Sequence, residues 1–305
     1  MSALKRLTEI FKSAKTIDFD DTTKIVLMSD CHRGDGSWAD DLARNENVYY
    51  SALNYYYKND YTYIELGDGD ELWENNDFSV ITEAHNDTFM LLQKFYKQKR
   101  LYMIYGNHDM VKKNRSFVKK ELCCFFDEHL KKCFPLFNQM VPYESLVLRH
   151  SRTGNKVFLI HGHQVDFLND RLWKFARFLV RHLWRHLESL GFNDPTSAAK
   201  NNNKKSSVES ILTAWAQKEK QMLIAGHTHR PVFPNTGEPL YFNDGSCVHP
   251  RCITAVEIVE GRISLVKWCI RSTQDSLLSV RKIVLAGPEK IEDFFSAIDN
   301  SNDIY

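Results

Sequence analysis

Five short polar blocks, each closing an apolar run, constrain this chain more than any other feature. Asp30-Cys31-His32 follows Lys24–Met28, and Gly67-Asp68 follows residues 61–66. Gly106-Asn107-His108-Asp109 follows residues 101–105, His161-Gly162-His163 follows residues 157–160, and Gly226-His227-Thr228-His229 follows Met222–Ala225. Apolar runs this short, ending in a polar or glycine-rich turn, read as buried strands with loops at their carboxyl ends. Such ends gather along one sheet edge, so Asp, Asn and His recurring at five of them converge. Carboxylate, imidazole and amide oxygen together suit divalent ions such as Mn, Fe or Zn rather than thiolate-seeking ones. Residues two apart on a strand share a face, so Asp30 can act with His32, and His227 with His229. One such pair arises easily by accident; five blocks in order do not.

Between these strands the apolar spacing turns helical, which predicts α/β layering. Residues 45–57, 81–97 and 116–132 are expected as helices beside a sheet, and residues 1–15 as a short amphipathic helix. Residues 141–149 and 155–161 read as strands. Residues 240–243, 253–259 and 262–270 read as antiparallel strands, and residues 282–298 as a strand and a helix separated by Gly287-Pro288. The expected division is an N-terminal extension over 1–22, a core over 23–163 and 221–270, a helical cap over 164–220, and a C-terminal extension over 271–305. The cap run 170–190 carries Lys174, Arg177, Arg181 and Arg185 along one face, with Trp173, Phe178 and Trp184 elsewhere. It reads either as a lid packed on residues 206–219 or as a basic and aromatic face meeting an anionic substrate and lipid.

A net charge of +1 gives no global attraction to nucleic acid or membrane, and no nucleic-acid partner is expected. Seven cysteines without CxxC spacing are expected as reduced thiols in a reducing cytoplasm. Cys31 is expected to point into the core, and His85 to lie on a helix surface. No secretory leader and no apolar run of ~20 residues is evident.

The ordered blocks resemble the calcineurin-like metallophosphoesterase superfamily over roughly residues 25–268. That resemblance implies a four-layer α-β-β-α sandwich of two mixed sheets with the metals at one edge. It implies two divalent ions, Mn preferred and Fe or Zn compatible. Asp30, His32 and His229 would hold the first, Asn107, His161 and His227 the second, and Asp68 would bridge them. His108 would contact the phosphate or protonate the leaving oxygen, with Asp109 orienting its imidazole, and a hydroxide activated by the metals would attack phosphorus. The inserted cap, Gly67-Asp68-Gly69-Asp70-Glu71-Leu72-Trp73 and His227-Thr228-His229-Arg230-Pro231 resemble the UDP-2,3-diacylglucosamine pyrophosphatase-like branch. His108 stands where one form of that enzyme has Arg, and His163 where an Asp often follows.

The resemblance implies hydrolysis of a phosphoester or pyrophosphate, on a small or lipid-linked substrate such as a nucleotide sugar, with peripheral membrane contact through the cap as one outcome. Alternatives are a protein Ser/Thr phosphatase, against which Glu71-Leu72-Trp73 replaces the usual Asp-Arg-Gly, and a non-catalytic membrane-binding scaffold. Three neighbours are candidate substrate contacts. Arg33 would meet a phosphate or form a salt bridge, Trp73 would stack on a base or sugar or pack in its loop, and Arg230 borders the site.

Overall fold

A computed structural model describes residues 2–127, 131–166, 202–272, 275 and 277–300. Two mixed sheets face each other across an apolar core. The six-stranded sheet runs β13-β12-β11-β2-β3-β4, formed by β2 (Lys24–Met28), β3 (Thr62–Leu66), β4 (Leu101–Ile104), β11 (Cys252–Val259), β12 (Arg262–Ser272) and β13 (Leu278–Lys290). The five-stranded sheet runs β1-β7-β8-β9-β10, from β1 (Lys15–Phe19), β7 (Ser145–His150), β8 (Lys156–Ile160), β9 (Met222–Ala225) and β10 (Tyr241–Asn243).

The two-residue period of the strands explains the layering. Ile25 and Leu27 of β2 pack between the sheets against Leu146, Leu159 and Ile224, whereas Val26 and Met28 pack outward. The outer face of the larger sheet is covered by α2 (Glu46–Lys58) and α4 (Asn86–Lys97), through Tyr49, Leu53, Tyr56, Leu92 and Phe95. The outer face of the smaller sheet is covered by α1 (Ala3–Ser13) and α6 (Asn202–Glu219), where Leu7, Ile10, Leu212 and Trp215 meet Phe158 and Leu223. The result is the four-layer α-β-β-α sandwich. No described helix is long and apolar enough to cross a membrane.

Several elements differ from expectation, each for a tertiary reason. The chain does not continue as helix beyond α5 (Arg115–Glu121); β5 (Cys124–Asp127) and β6 (Lys132–Pro135) form a hairpin instead. Cys124 and Cys133 are joined there as a disulfide, so the expectation of seven free thiols does not hold. Residues 81–97 are two helices, α3 (Phe78–Ala84) and α4, broken at His85. That imidazole is buried, not on the surface, and lies 2.7 Å from Asp40 Oδ2 and 3.0 Å from Glu46 Oε1. Residues 240–243 pair parallel to β9 rather than antiparallel to their sequence neighbours.

Among the described residues, the first strand and the last helix both pack into the core. β1 pairs with β7, Gly287-Pro288 lies inside β13 rather than after it, and α7 (Ile291–Asn300) buries Phe294 between the sheets. Of the expected cap, residues 202–219 form α6 and belong to the sandwich, while the basic and aromatic run 170–190 lies outside the described residues.

Candidate metal centre

The carboxyl ends of β2, β3, β4, β8 and β9 meet at one edge of the paired sheets. Leaving each strand there demands sharp local turns. Asp30, His32, Asp68, His227 and His229 all adopt left-handed backbone, with φ of 51°, 47°, 49°, 66° and 54°. Non-glycine residues rarely sit there, at a cost of ~1 kcal/mol or more each, so strain is concentrated at these residues. Hydrogen bonds between loops hold it: Asp30 N donates to Gly67 O at 3.0 Å and His32 N to Asp68 O at 2.9 Å. Glycine permits the close approach. A Cβ at Gly106 would lie 2.1 Å from Asp68 Oδ1, and one at Gly226 2.1 Å from Ser29 Oγ.

Two clusters of potential ligand atoms result, Asp30 with His32 and His229, and Asp68 with His161 and His227; within each, the atoms lie within 4.8 Å of one another. Asp68 Oδ2 is 3.0 Å from His161 Nε2 and 4.0 Å from His32 Nε2, so it stands between the clusters. Asn107 is buried, and its Oδ1 has no hydrogen-bond partner. Asp30 Oδ1, His32 Nε2, His161 Nε2 and His227 Nε2 are likewise buried without one. Asp30 Oδ1 lies 3.0 Å from His229 Nε2 but without hydrogen-bond geometry. Carboxylate, imidazole and amide ligand atoms crowded together in this way fit cations. The structure thus brings Asp30, His32, Asp68, Asn107, His161, His227 and His229 to one place.

The outward nitrogens have defined partners. His161 Nδ1 is 2.9 Å from Leu66 O, which requires the proton on Nδ1 and leaves Nε2 as the lone-pair donor. His32 Nδ1 is 2.9 Å from Glu71 Oε2, with the same consequence. Burial alone would lower the His161 pKa, but the carboxylates of Asp68 and Asp30 raise it to about 9. Burial opposes ionisation of Asp68, yet His161 and His108 hold its carboxyl well below the usual range.

His108 is set differently from expectation. Its Nδ1 is 2.7 Å from Glu71 Oε2, the oxygen already facing His32, as a charge contact without hydrogen-bond geometry. Asp109 does not reach this ring. Its carboxylate accepts from Gly106 N at 2.7 Å and Gly69 N at 3.2 Å, and pairs with Lys112 Nζ at 2.6 Å. Asp109 therefore ties the Asn107-His108 loop to the Asp68 loop, while Glu71 orients His108. Burial opposes protonation of His108, but Glu71 and then Asp68 raise its pKa. Burial likewise opposes ionisation of Glu71, which the two imidazoles bring to about 2.

Two of the three candidate substrate contacts, Arg33 and Trp73, are buried, whereas Arg230 stays largely exposed. Arg33 is fully buried, donating to Asp70 Oδ1 at 2.7 Å and Glu65 Oε2 at 2.8 Å, so it is a salt bridge and not a phosphate contact. Trp73 is buried and stacked on His108, which leaves no face for a base or sugar. Arg230 Nη2 pairs with Glu209 Oε2 of α6 at 3.1 Å. A further acidic group, Glu65, Asp70 and Asp109, is filled by Arg33 and Lys112 and has no room for an ion.

Sequence reasoning missed Glu71 as the partner of His32 and His108; a carboxylate three residues past Asp68 was its only trace. It also missed Ser29, whose hydroxyl bonds Asp30 Oδ2 at 2.5 Å and Asp244 Oδ1 at 2.8 Å. One hydroxyl proton cannot serve two carboxylates. Burial and the charge on Asp30 push the Asp244 pKa well up, which favours its protonated form beside this hydroxyl. Cys31 is buried beside these ligands, as expected.

The model for the calcineurin-like phosphoesterase superfamily domain matches residues 23–259. The chain belongs to that superfamily. Among solved structures it is similar to Vps29 of Chaetomium thermophilum, with 11% identity over 88% of this chain and 100% of that one, at a TM-score of 0.36. It is also similar to GAP50, the anchor in the inner membrane complex of Plasmodium, with 12% identity over 90% of this chain and 94% of that one, at a TM-score of 0.39. No curated protein matches significantly. The superfamily match covers all seven clustered residues together with Glu71 and His108.

Proposed function

We propose that the protein is a dinuclear-metal-dependent hydrolase of phosphoester or pyrophosphate bonds. One observation carries this reading: five buried ligand atoms, on Asp30, His32, Asn107, His161 and His227, have no hydrogen-bond partner and lie at one sheet edge. Leaving a single buried polar atom unpaired costs ~1–3 kcal/mol, and bound cations would complete all five at once. Asp30, His32 and His229 would hold one ion, Asn107, His161 and His227 the other, and Asp68 both.

Bound divalent cations would neutralise charge on the phosphoryl oxygens and make water acidic enough to attack phosphorus near neutral pH. The chain's own residues supply the rest. His108 keeps Nδ1 against Glu71, which leaves the Nε2 proton to be given to the departing oxygen. Glu71 and Asp68 raise its pKa against the effect of burial, and the indole of Trp73 supports the cationic ring from one face. Asp109, locked by Lys112, fixes the loop that aims Asn107 and His108. A nucleotide-sugar or lipid-linked substrate, manganese as the metal and peripheral membrane contact belong to this reading as its finer part. They rest on the motif resemblance and on residues 170–190.

The test joins metal analysis to turnover. Protein purified without added chelator should carry close to two divalent ions per chain by elemental analysis. It should hydrolyse bis-p-nitrophenyl phosphate or its monoester on addition of Mn, and a UDP-sugar diphosphate should report the pyrophosphate reading. Retention of two ions with no hydrolysis of any phosphoester would favour a binding scaffold instead.

A further inference from the structure

We propose that Cys252 and Cys269 are a redox modification site, at which a small disulfide of the glutathione class closes a reversible cross-strand bond. The two residues stand opposite each other in the ladder between β11 and β12, and both are free thiols. Register is unbroken from Val259↔Arg262 to Cys252↔Cys269, and the two-residue turn Glu260-Gly261, with φ of 52° and 67°, fixes it. Such a turn makes Val259 and Arg262 a hydrogen-bonded pair. Alternation along the ladder then makes Cys252 and Cys269 a non-hydrogen-bonded one. The hydrogen bonds agree: Cys252 N donates to His249 O at 3.4 Å, and Cys252 O accepts from Asn45 Nδ2 at 3.1 Å. Both backbone groups of Cys252 therefore have partners outside β12.

Pairs of this kind bring side chains closest. Opposed Cα atoms lie about 4.5 Å apart and Cβ atoms ~4.5–5.5 Å. A disulfide accepts Cα separations of ~4.4–6.8 Å and Cβ separations of ~3.5–4.5 Å, so the sheet needs to close by only ~1 Å. Cys252 is half-buried at the start of β11, whereas Cys269 is 7% exposed and is reached through its neighbour. Of the other free thiols, Cys31 and Cys247 are fully buried. Burial raises the Cys252 thiol pKa, against the lowering effect of Lys267, so its reactive thiolate is favoured at mildly alkaline pH.

The Cys252 thiolate attacks one sulfur of the small disulfide, forming a mixed disulfide and releasing one small thiol. The Cys269 thiolate then attacks Cys252 Sγ, forming the cross-strand bond and releasing the second small thiol. Two electrons pass from the protein to the reagent, and the two cysteine protons end on the two released thiols. The bond lies at the metal edge of the sandwich. Asn45 Nδ2 also holds Cys247 O at 2.9 Å and His249 O at 2.6 Å, and Cys247 N donates to Asp30 O at 3.2 Å. Closure therefore pins to β12 the segment that supports the backbone of Asp30.

The test treats the full chain with glutathione disulfide at mildly alkaline pH, blocks the remaining thiols with N-ethylmaleimide, and maps the peptides by mass spectrometry. The expected product joins Cys252 to Cys269, and excess reduced glutathione should reopen it. Cys269→Ser should stop at the mixed disulfide on Cys252, and Cys252→Ser should leave Cys269 unmodified, with circular dichroism confirming that each variant is folded. Recovery of both thiols blocked by maleimide in the native chain overturns the proposal. So does a mixed disulfide that persists on Cys252 while Cys269 is present, or a bond from either residue to a different cysteine.

Discussion

The indole of Trp73 lies flat on the imidazole of His108, ring centroids 4.3 Å apart and planes within 20°. His108 is thereby held from two directions, by Trp73 on its face and by Glu71 on Nδ1. Both favour the imidazolium over the neutral ring. If that ring is the general acid, activity requires its proton and falls as pH rises through its pKa, which lies above the ordinary histidine value. Trp73→Leu should therefore keep its metal content, lower turnover by about ten-fold, and move the alkaline loss of activity to lower pH. A pH profile of kcat/KM measures this. An alkaline limb that stays in place in the variant removes the stack from the mechanism.

Glu71 meets His32 and His108 through one oxygen, so its removal should be felt twice. Glu71→Gln should weaken metal binding by ~10–100-fold through His32 and also slow turnover at saturating metal through His108. His108→Ala should affect turnover alone. Titration calorimetry with Mn separates the two effects. Equal metal affinity in Glu71→Gln and native protein contradicts the shared role.

Much of this arrangement is legible in the sequence. The apolar runs before Asp30, Asp68, Asn107, His161 and His227 are strands because a chain buried on both faces of a sheet needs consecutive apolar residues, a local signal. The metal-type residues follow those runs directly, so the cluster could be anticipated. What escaped notice depends on partners distant in sequence. Arg33 reads as either a phosphate contact or a surface salt bridge; it is a buried pair with Glu65 and Asp70, and nothing near residue 33 announces the burial. His85 looked like a surface residue because Asp40 lies on a separate loop. The spacing predicts a helix over 116–132, but β-favouring Cys and Phe pair Cys124–Asp127 antiparallel with Lys132–Pro135, where Cys124 and Cys133 are joined.

Lys112 should prove indispensable to folding although it touches no proposed ligand. Its buried ammonium lies 2.6 Å from both Asp70 and Asp109, and Arg33 alone remains to balance three carboxylates if it goes. Lys112→Met should cost ~3–5 kcal/mol, the usual penalty for orphaning buried charge. Burial opposes ionisation of Asp70, but Arg33 and Lys112 lower its pKa to about 2. Its ionised pair therefore contributes stability above the ordinary Asp value, and that contribution is lost as pH falls toward 2. Urea denaturation at pH 7 checks the first claim, and a loss under 1 kcal/mol would count against it.

Proton and cation should compete for His161. Burial would lower its pKa, but Asp68 and Asp30 raise it to about 9, so the metal-free protein carries a proton there at pH 7. A cation taking Nε2 must expel that proton, which makes apparent metal affinity rise with pH until about 9, by at most roughly ten-fold per unit for one site. The linkage for the empty protein has the opposite sign. The proton stabilises the fold fully below the ordinary histidine value, and that gain is lost as pH climbs through about 9. Loading with Mn at pH 7 should therefore release protons, read by calorimetry in two buffers of different ionisation enthalpy. Asp68→Ala should abolish both the release and nearly all metal binding, because the carboxylate that holds the proton on His161 is also the one placed between the two clusters. Identical heats in the two buffers for the native protein would show that no proton leaves, and that His161 is not where the cation binds.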